Sequence, residues 1–194
     1  MLLLLIQGYD PSTRGHRQGE GEYVDLPVQR DEFGMPAIWA SSLKGALKSA
    51  ALSSPSNPFG DALHALLSVF GREPGGQPES ISGITLLDAR LLAIPARSLR
   101  GVWIYLTSPH LLRLFRVYLD SVGAGDKFKV NNVDVVDGLL NAAAGLQRGN
   151  ALVSSPNYLV GGKLVLNETY LSAKEGREAK AFIDAVAQAL RVAG

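Results

Sequence analysis

Residues 20–50 hold the side chains whose types and spacing could do chemistry, and the first of them is a carboxylate. Asp25 lies in a segment where glycine, proline and charge are frequent, and it is followed by Leu26 and Pro27. A carboxylate on a loop could take the proton of a ribose 2′-OH, or hold a metal ion, beside a phosphate. The alternative is an ordinary solvated aspartate.

The second feature is a helix predicted over residues 41–52. Ser41 or Ser42 could cap its start, and Lys44 and Lys48 lie four residues apart on one face. Free backbone N–H groups, the helix dipole and two ammonium groups together favour phosphate binding. The alternative is a capped amphipathic helix with exposed lysines. Its predicted apolar face consists of Leu43, Ala46, Leu47 and Ala50.

Two further polar sets could neutralise phosphates. One surrounds Asp25 in the sequence and consists of Arg14, Arg17 and Arg30. The other is predicted to lie in a turn after Pro95 and consists of Arg97, Ser98 and Arg100. Each arginine is as readily a solvated charge, and the second set could instead contact a neighbouring subunit. Asp31 and Glu32 are predicted to be ordinary surface charges, the alternative being that they assist Asp25, and Asp88 is predicted to be structural.

Composition limits the class of protein. The 194 residues are 46% hydrophobic, enough for a core, and the net charge of +1 argues against a general nucleic-acid-binding protein. The distribution softens that argument, because residues 89–119 contain five arginines and no acid. There is no cysteine, so disulfides and thiolate zinc sites are excluded. The apolar start, residues 2–6, is too short to span a bilayer and predicts a buried strand.

The periodicity predicts the order strand, helix, strand, strand, helix, strand, helix. The predicted strands are residues 2–7, 84–94, 102–106 and 163–171, and Pro95 is expected to end the second. The predicted helices are residues 41–52, 61–70, 108–122 and 174–192, with some helix around 133–144. This order is compatible with an α+β, ferredoxin-like fold. We expect one domain over residues 1–194, with a long loop over 8–40 and a poorly readable insertion over 123–162.

Several short motifs in this order resemble one family. Residues 25–30 read DLPVQR, and residues 36–48 read PAIWASSLKGALK. Later matches are FG at 70–71, GITLLDARLL at 83–92, IPARSLRG at 94–101 and TSP at 107–109. Together they resemble the backbone subunit of type III-B CRISPR effector (Cmr) complexes, within the RAMP superfamily of guide-RNA-binding proteins. The match covers most of residues 1–120 and weakly 160–190.

The resemblance implies an RRM-like fold and a cytoplasmic RNA-guided endoribonuclease. Its implied partners are a CRISPR guide RNA, a target RNA, copies of itself and other complex subunits, with no membrane. Asp25 falls where this family has its target-cleaving aspartate, His16 is a second candidate, and cleavage depends on a divalent ion, Mg²⁺ or Mn²⁺. The family continues with further strands and a thumb hairpin beyond the last predicted helix, so this chain looks C-terminally shortened.

Two other functions remain open at this point. The chain could be a scaffold that binds RNA without cutting it, if Asp25 is misplaced for cleavage. A small-molecule α/β enzyme has no support, because the sequence lacks a phosphate-loop or dinucleotide-binding fingerprint.

Overall fold

In a computed structural model, the residues described are 29–53, 68–71 and 82–191. The chain divides into two compact units, one of residues 8–91 and the other of residues 1–7 and 92–194. The expected single domain over residues 1–194 stays a prediction. None of the helices within the described ranges is long and apolar enough to cross a membrane.

In the unit of residues 8–91, a short antiparallel pair joins β1 (Ala37–Ile38) to β2 (Ala89–Arg90), and α1 (Ala40–Ser53) follows β1 directly. The strand predicted over 84–94 is therefore wrong in length. Strand β1 pairs with only two of its residues, Ala89 and Arg90. At the start of the predicted strand, the Ile84 N–H bonds the carbonyl of Val69 instead. Of the helix predicted over 61–70, residues 68–70 are described and helical; the strand predicted over 2–7 lies outside the described residues.

The unit that includes residues 92–191 is built on one sheet. Its strands are β3 (Ile94–Ser98), β4 (Val102–Leu106), β7 (Asn150–Val153), β8 (Leu159–Val160), β9 (Lys163–Leu166) and β10 (Thr169–Glu175). Their order is β4-β3-β9-β10-β7, with β8 also paired to β9. A separate small hairpin joins β5 (Lys129–Val130) to β6 (Val133–Asp134). The β10–β7 pair is parallel and the other pairs are antiparallel.

Two strand predictions need correction here. Pro95 lies inside β3, opposite Tyr105, and does not end a strand. Proline is tolerated here because, among the described strands, β9 is the neighbour on the other edge of β3 and pairs with it at Ser98, not at Pro95. The strand predicted over 163–171 is a hairpin, since Asn167 has φ 46° and turns the chain between β9 and β10.

Three helices pack around a common core in this unit: α2 (Pro109–Val122), α3 (Val135–Ala144) and α4 (Arg177–Arg191). The predicted helix over 108–122 is confirmed, because Ser108 caps α2 and Pro109 occupies its first turn. The predicted stripe of α2 is buried: Leu111, Leu112, Phe115 and Leu119. Phe115 meets Phe128 and Phe182 edge to face, with ring centroids 5.1 and 6.3 Å apart.

A cluster of ion pairs centred on Arg116 joins α2 to the start of α3. Arg116 is ion-paired with Asp134, lies 3.5 Å from Asp137 and lies 3.4 Å from Asp120. Asp134 also caps α3, because its carboxylate accepts the N–H groups of Val136 and Asp137. These contacts fix where α3 begins.

Leu119→Ala should destabilise the folded chain by about 2–5 kcal/mol, because Leu119 is 0% exposed and its loss leaves a cavity. Val117→Ala is the matched control in the same helix, where the side chain is 57% exposed, and should change stability by less than about 0.5 kcal/mol. Urea unfolding followed by circular dichroism measures both. Equal losses for the two variants would contradict the assigned core.

Candidate nucleic-acid interface

The predicted site residues fall into three groups in the structure. Arg30, Ser41, Ser42, Lys44 and Lys48 lie in the unit of residues 8–91. The second group lies in the other unit and consists of Arg97, Ser98 and Arg100. The third lies outside the described residues and consists of Arg14, His16, Arg17 and Asp25.

Within residues 8–91, the best-defined polar contact is one that sequence reasoning missed. The Arg90 guanidinium lies 3.2 Å from Asp31, 2.9 Å from Glu32 and 3.7 Å from Asp88. We call these four residues the Arg90 cluster. Arg90 also lies over the ring of Trp39, 6.0 Å from its centroid. The available signal was the spacing of Asp88 and Arg90, because residues two apart in a strand lie on the same face.

Asp31 is not the surface charge that was predicted. It is 8% exposed, and its carboxylate accepts the backbone N–H of Phe33 at 3.0 Å and of Met35 at 2.9 Å. The turn closes further because Asp31 N–H bonds the Met35 carbonyl and Gly34 adopts φ +76°. Burial would raise the pKa of Asp31, but these two hydrogen bonds and the Arg90 guanidinium outweigh it and hold the pKa below its usual value.

Glu32 is exposed and completes the charge pairing of Arg90. A hydrogen bond from its own backbone N–H, followed by the bond from Arg90, lowers the pKa of Glu32. On the same turn, Arg30 donates to the Gly34 carbonyl at 2.6 Å. Arg30 remains exposed, so its guanidinium is accessible from solvent.

The Arg90 cluster also sets the start of α1. The Asp88 carboxylate accepts the N–H of Ala40, the first residue of the helix, at 2.8 Å. This confirms a structural role for Asp88, and it corrects the prediction that Ser41 or Ser42 caps the helix. Both serines lie inside the first turn, because the helix begins one residue earlier than predicted. One of the N–H groups expected to be free for phosphate is therefore already bonded.

The remaining surface of α1 carries the predicted polar residues. Ser41 and Ser42 are exposed, while Lys44 and Lys48 are half-buried, and Lys48 donates to the Gly71 carbonyl at 3.4 Å. A Cβ added at Gly45 would meet no atom within 4 Å, so the fold itself does not require glycine there. The predicted apolar face is not a buried stripe, because α1 has no buried residue.

In the other unit, Arg97 and Ser98 lie in β3, which corrects their predicted place in a turn. Arg97 is exposed and its guanidinium lies 5.5 Å from the centroid of the Trp103 ring. Ser98 is buried on the opposite face, and its Oγ has no hydrogen-bond partner among the described residues. Arg100 is exposed in the turn between β3 and β4.

The described residues contain no cluster of three or more histidines or carboxylates able to hold a metal ion. Asp31, Glu32 and Asp88 lie close together, but all three carboxylates are already ion-paired with Arg90. These residues therefore do not fit a divalent ion. Asp25, the predicted metal contact, lies outside the described residues.

Comparison with known proteins gives consistent matches. The model of the RAMP superfamily matches residues 8–189. The chain is 37% identical over 154 residues to the CRISPR system CMR subunit Cmr4 of Saccharolobus solfataricus, covering 77% of this chain and 46% of that protein. It is 37% identical over 101 residues to the CRISPR system Cmr endoribonuclease Cmr4 of Pyrococcus furiosus, covering 52% and 33%. The chain thus spans less than half the length of these relatives.

Solved structures match over most of the chain. Oligomeric Cmr4 from Pyrococcus furiosus superposes with a TM-score of 0.59 at 28% identity, covering 85% of this chain and 55% of that one. A chain of the type III-B Cmr-β complex bound to cognate target RNA gives 0.59 at 31% identity, covering 84% and 62%. These matches confirm the predicted α+β, ferredoxin-like fold class.

The depressed pKa of Asp31 predicts how stability depends on pH. The ionised carboxylate stabilises the folded chain above its unfolded pKa of about 3.9, and this stabilisation is lost as pH falls through the lower folded value. Asp31→Asn should be less stable at pH 7 and should lose less stability than wild type between about pH 5 and pH 2. Thermal unfolding across that range measures this, and parallel curves for the two proteins would contradict it.

Proposed function

The chain belongs to the RAMP superfamily, and we propose that it is a backbone subunit of a type III-B CRISPR effector complex that binds guide RNA and cleaves complementary target RNA. The observation that carries this proposal is α1. This helix carries two exposed serines and two lysines, and Asp88 and Arg90 fix where it begins. The chain is also 37% identical to a Cmr subunit over 154 residues.

Guide binding through α1 follows from the chemistry of a sugar–phosphate backbone. Ser41 and Ser42 offer hydroxyl donors at the positive end of the helix dipole, and Lys44 and Lys48 add charge one and two turns further on. Contacts of this kind bind the backbone without reading its sequence. Gly45 lies between the lysines and presents an open surface, so RNA can approach the helix closely there.

Cleavage is assigned to Asp25, from its place in the DLPVQR motif and the resemblance it carries. Asp25 would take the proton of the ribose 2′-OH, whose oxygen attacks the adjacent phosphorus. The bond from phosphorus to the 5′ oxygen breaks, leaving a 2′,3′-cyclic phosphate and a 5′-hydroxyl end. His16 is a candidate to protonate that leaving oxygen, and Arg14, Arg17 and Arg30 would neutralise phosphates.

The divalent ion enters the proposal only through the resemblance. Because the described residues do not fit a metal ion, its one named contact is Asp25. The dependence is tested by comparing cleavage in Mg²⁺, in Mn²⁺ and after chelation.

A scaffold that binds RNA without cutting it is the second candidate. One relative is named an endoribonuclease, while the other is named only as a subunit of the system. The two functions differ in what Asp25 does, so the same variant separates them.

Asp25→Asn should abolish target cleavage while leaving RNA binding unchanged, because the amide cannot accept the proton and removes only one charge. The measurement uses the assembled complex with guide RNA and a labelled complementary target, at matched RNA occupancy, with Mg²⁺ or Mn²⁺. The control is Asp126→Asn, which changes an exposed aspartate elsewhere in the chain. A complex that carries this variant should cleave the target normally. If wild type binds target but does not cut it, the scaffold function replaces the enzyme.

Lys44→Gln combined with Lys48→Gln should weaken guide binding and reduce its salt dependence. Each lost phosphate contact lowers the slope of log K against log salt by about 0.7 for single-stranded RNA. Lys127→Gln removes an exposed lysine elsewhere in the chain and should leave the slope unchanged. Filter binding of a labelled guide from low to high salt measures the slope, and an unchanged slope in the double variant would remove α1 from the interface.

A further inference from the structure

The two faces of the sheet in residues 92–191 differ sharply. Side chains on one face pack into a core that includes Leu164, Leu166 and Val153. The register turns alternate residues to the other face, which is open where β3, β4, β9 and β10 meet. We call this the open face; its outward residues are Pro95, Arg97, Trp103, Tyr105, Lys163, Val165, Tyr170, Ser172 and Lys174.

Three aromatic rings stand on the open face. Trp103 is 55% exposed, Tyr105 is 59% exposed and Tyr170 is 65% exposed. Cation–π contacts involve Trp103 and Tyr170. The Arg97 guanidinium lies 5.5 Å from the Trp103 centroid, and the Lys163 ammonium lies 4.5 Å from the Tyr170 centroid. Trp103 lies on β4 and Tyr170 on β10, three strands away, and the axes of these strands are roughly 14 Å apart.

A tight, strained turn precedes Trp103. Val102 is a β-branched residue at φ 63°, a conformation such residues rarely adopt, and the Trp103 N–H bonds the Gly101 carbonyl at 2.7 Å. Position 101 requires glycine for two reasons: its φ is +86°, and a Cβ there would lie 3.0 Å from the Tyr158 ring. Strain of this kind persists where surrounding contacts impose it, and it is concentrated at functional sites.

The charge of the open face is of one sign. Its outward positions include Arg97, Lys163 and Lys174 and no carboxylate. The nearest acids along these strands are Glu168, in the turn before β10, and Glu175, at its end. Exposed aromatic rings beside cations form the surface that stacks unpaired bases and attracts phosphates.

We propose that the open face binds an unpaired stretch of target RNA, with bases stacked on Trp103 and Tyr170 and phosphates near Arg97 and Lys163. This rests on the proposed function, because the RNA must first reach the chain. Bases in a duplex stack on one another and cannot lie flat on a side chain, so the occupant is single-stranded. Guide bases must stay available for pairing, which leaves the part of the target outside the paired region.

The experiment uses the full chain and the fluorescence of Trp103. The sequence has two tryptophans, so Trp39→Phe leaves Trp103 as the sole reporter. A guide–target duplex with an eight-nucleotide unpaired target extension is compared with the same duplex without it. The extended duplex should quench Trp103 and bind about a hundredfold more tightly, roughly tenfold for each of the two stacked bases.

Variants separate stacking from folding. Their affinities are measured by the anisotropy of a labelled target, because the Trp103 variants lack the tryptophan reporter. Trp103→Ala and Tyr170→Ala should each lower the gain from the extension about tenfold, whereas Trp103→Phe should keep most of it because a ring remains. Lys163→Gln should weaken binding of the extension, while Lys180→Gln, an exposed lysine on α4, should not. An unpaired extension on the guide strand should give no gain.

Three results would overturn the proposal. If the duplex binds but the extension adds neither affinity nor quenching, the open face does not hold RNA while the proposed guide binding stands. If only a guide extension increases the affinity, the open face binds unpaired guide RNA and the proposal of target RNA is wrong. If Trp103 responds to increasing protein concentration without RNA, the open face is an interface between copies of the chain.

Discussion

The pairing of Arg90 with Asp31 is the contact on which the candidate interface depends. Burying a carboxylate is costly unless a charge and hydrogen bonds compensate it, and Asp31 has both. The same guanidinium reaches Asp88, whose other role is to bond the first N–H of α1. The turn at residues 31–35 and the start of α1 are therefore held by one side chain. Loss of that side chain would leave a buried carboxylate unpaired and release the helix start.

In the other unit, Arg116 likewise pairs with a carboxylate that caps the start of a helix. It too joins three carboxylates, and one of them, Asp134, caps the helix that follows. In both places an arginine that is distant in sequence from the helix start helps to fix where that helix begins, because a planar guanidinium can bond several oxygens at once. Groups presented on elements anchored in this way keep a defined geometry for binding.

Sequence reasoning succeeded where the signal was local. The helix α2 followed from Ser108, Pro109 and a regular apolar stripe, all within fourteen residues of one another. It failed where pairing was distant. The N–H groups of Gly83 and Ile84 bond the carbonyls of residues 68 and 69, and Arg90 joins Asp31 and Glu32 from nearly sixty residues away. Ser98 was assigned from its residue type, yet the β3 register turns it inward. The site at Asp25 came from a resemblance, and the described residues do not reach it.

The near-neutral composition argued against RNA binding, but the described ion pairs show that the net charge does not represent the charge of each surface. In the part of the chain the structure describes, Arg90, Arg116 and Lys129 are paired with seven carboxylates. Acidic charge is thus concentrated around a few cations inside the fold or along its turns. Arg97, Lys163 and Lys174 remain exposed on the open face, whose outward strand positions carry no acid, and Arg100 is exposed in the turn between β3 and β4. A chain of net charge +1 can therefore present a locally basic surface, because its carboxylates are used to build structure.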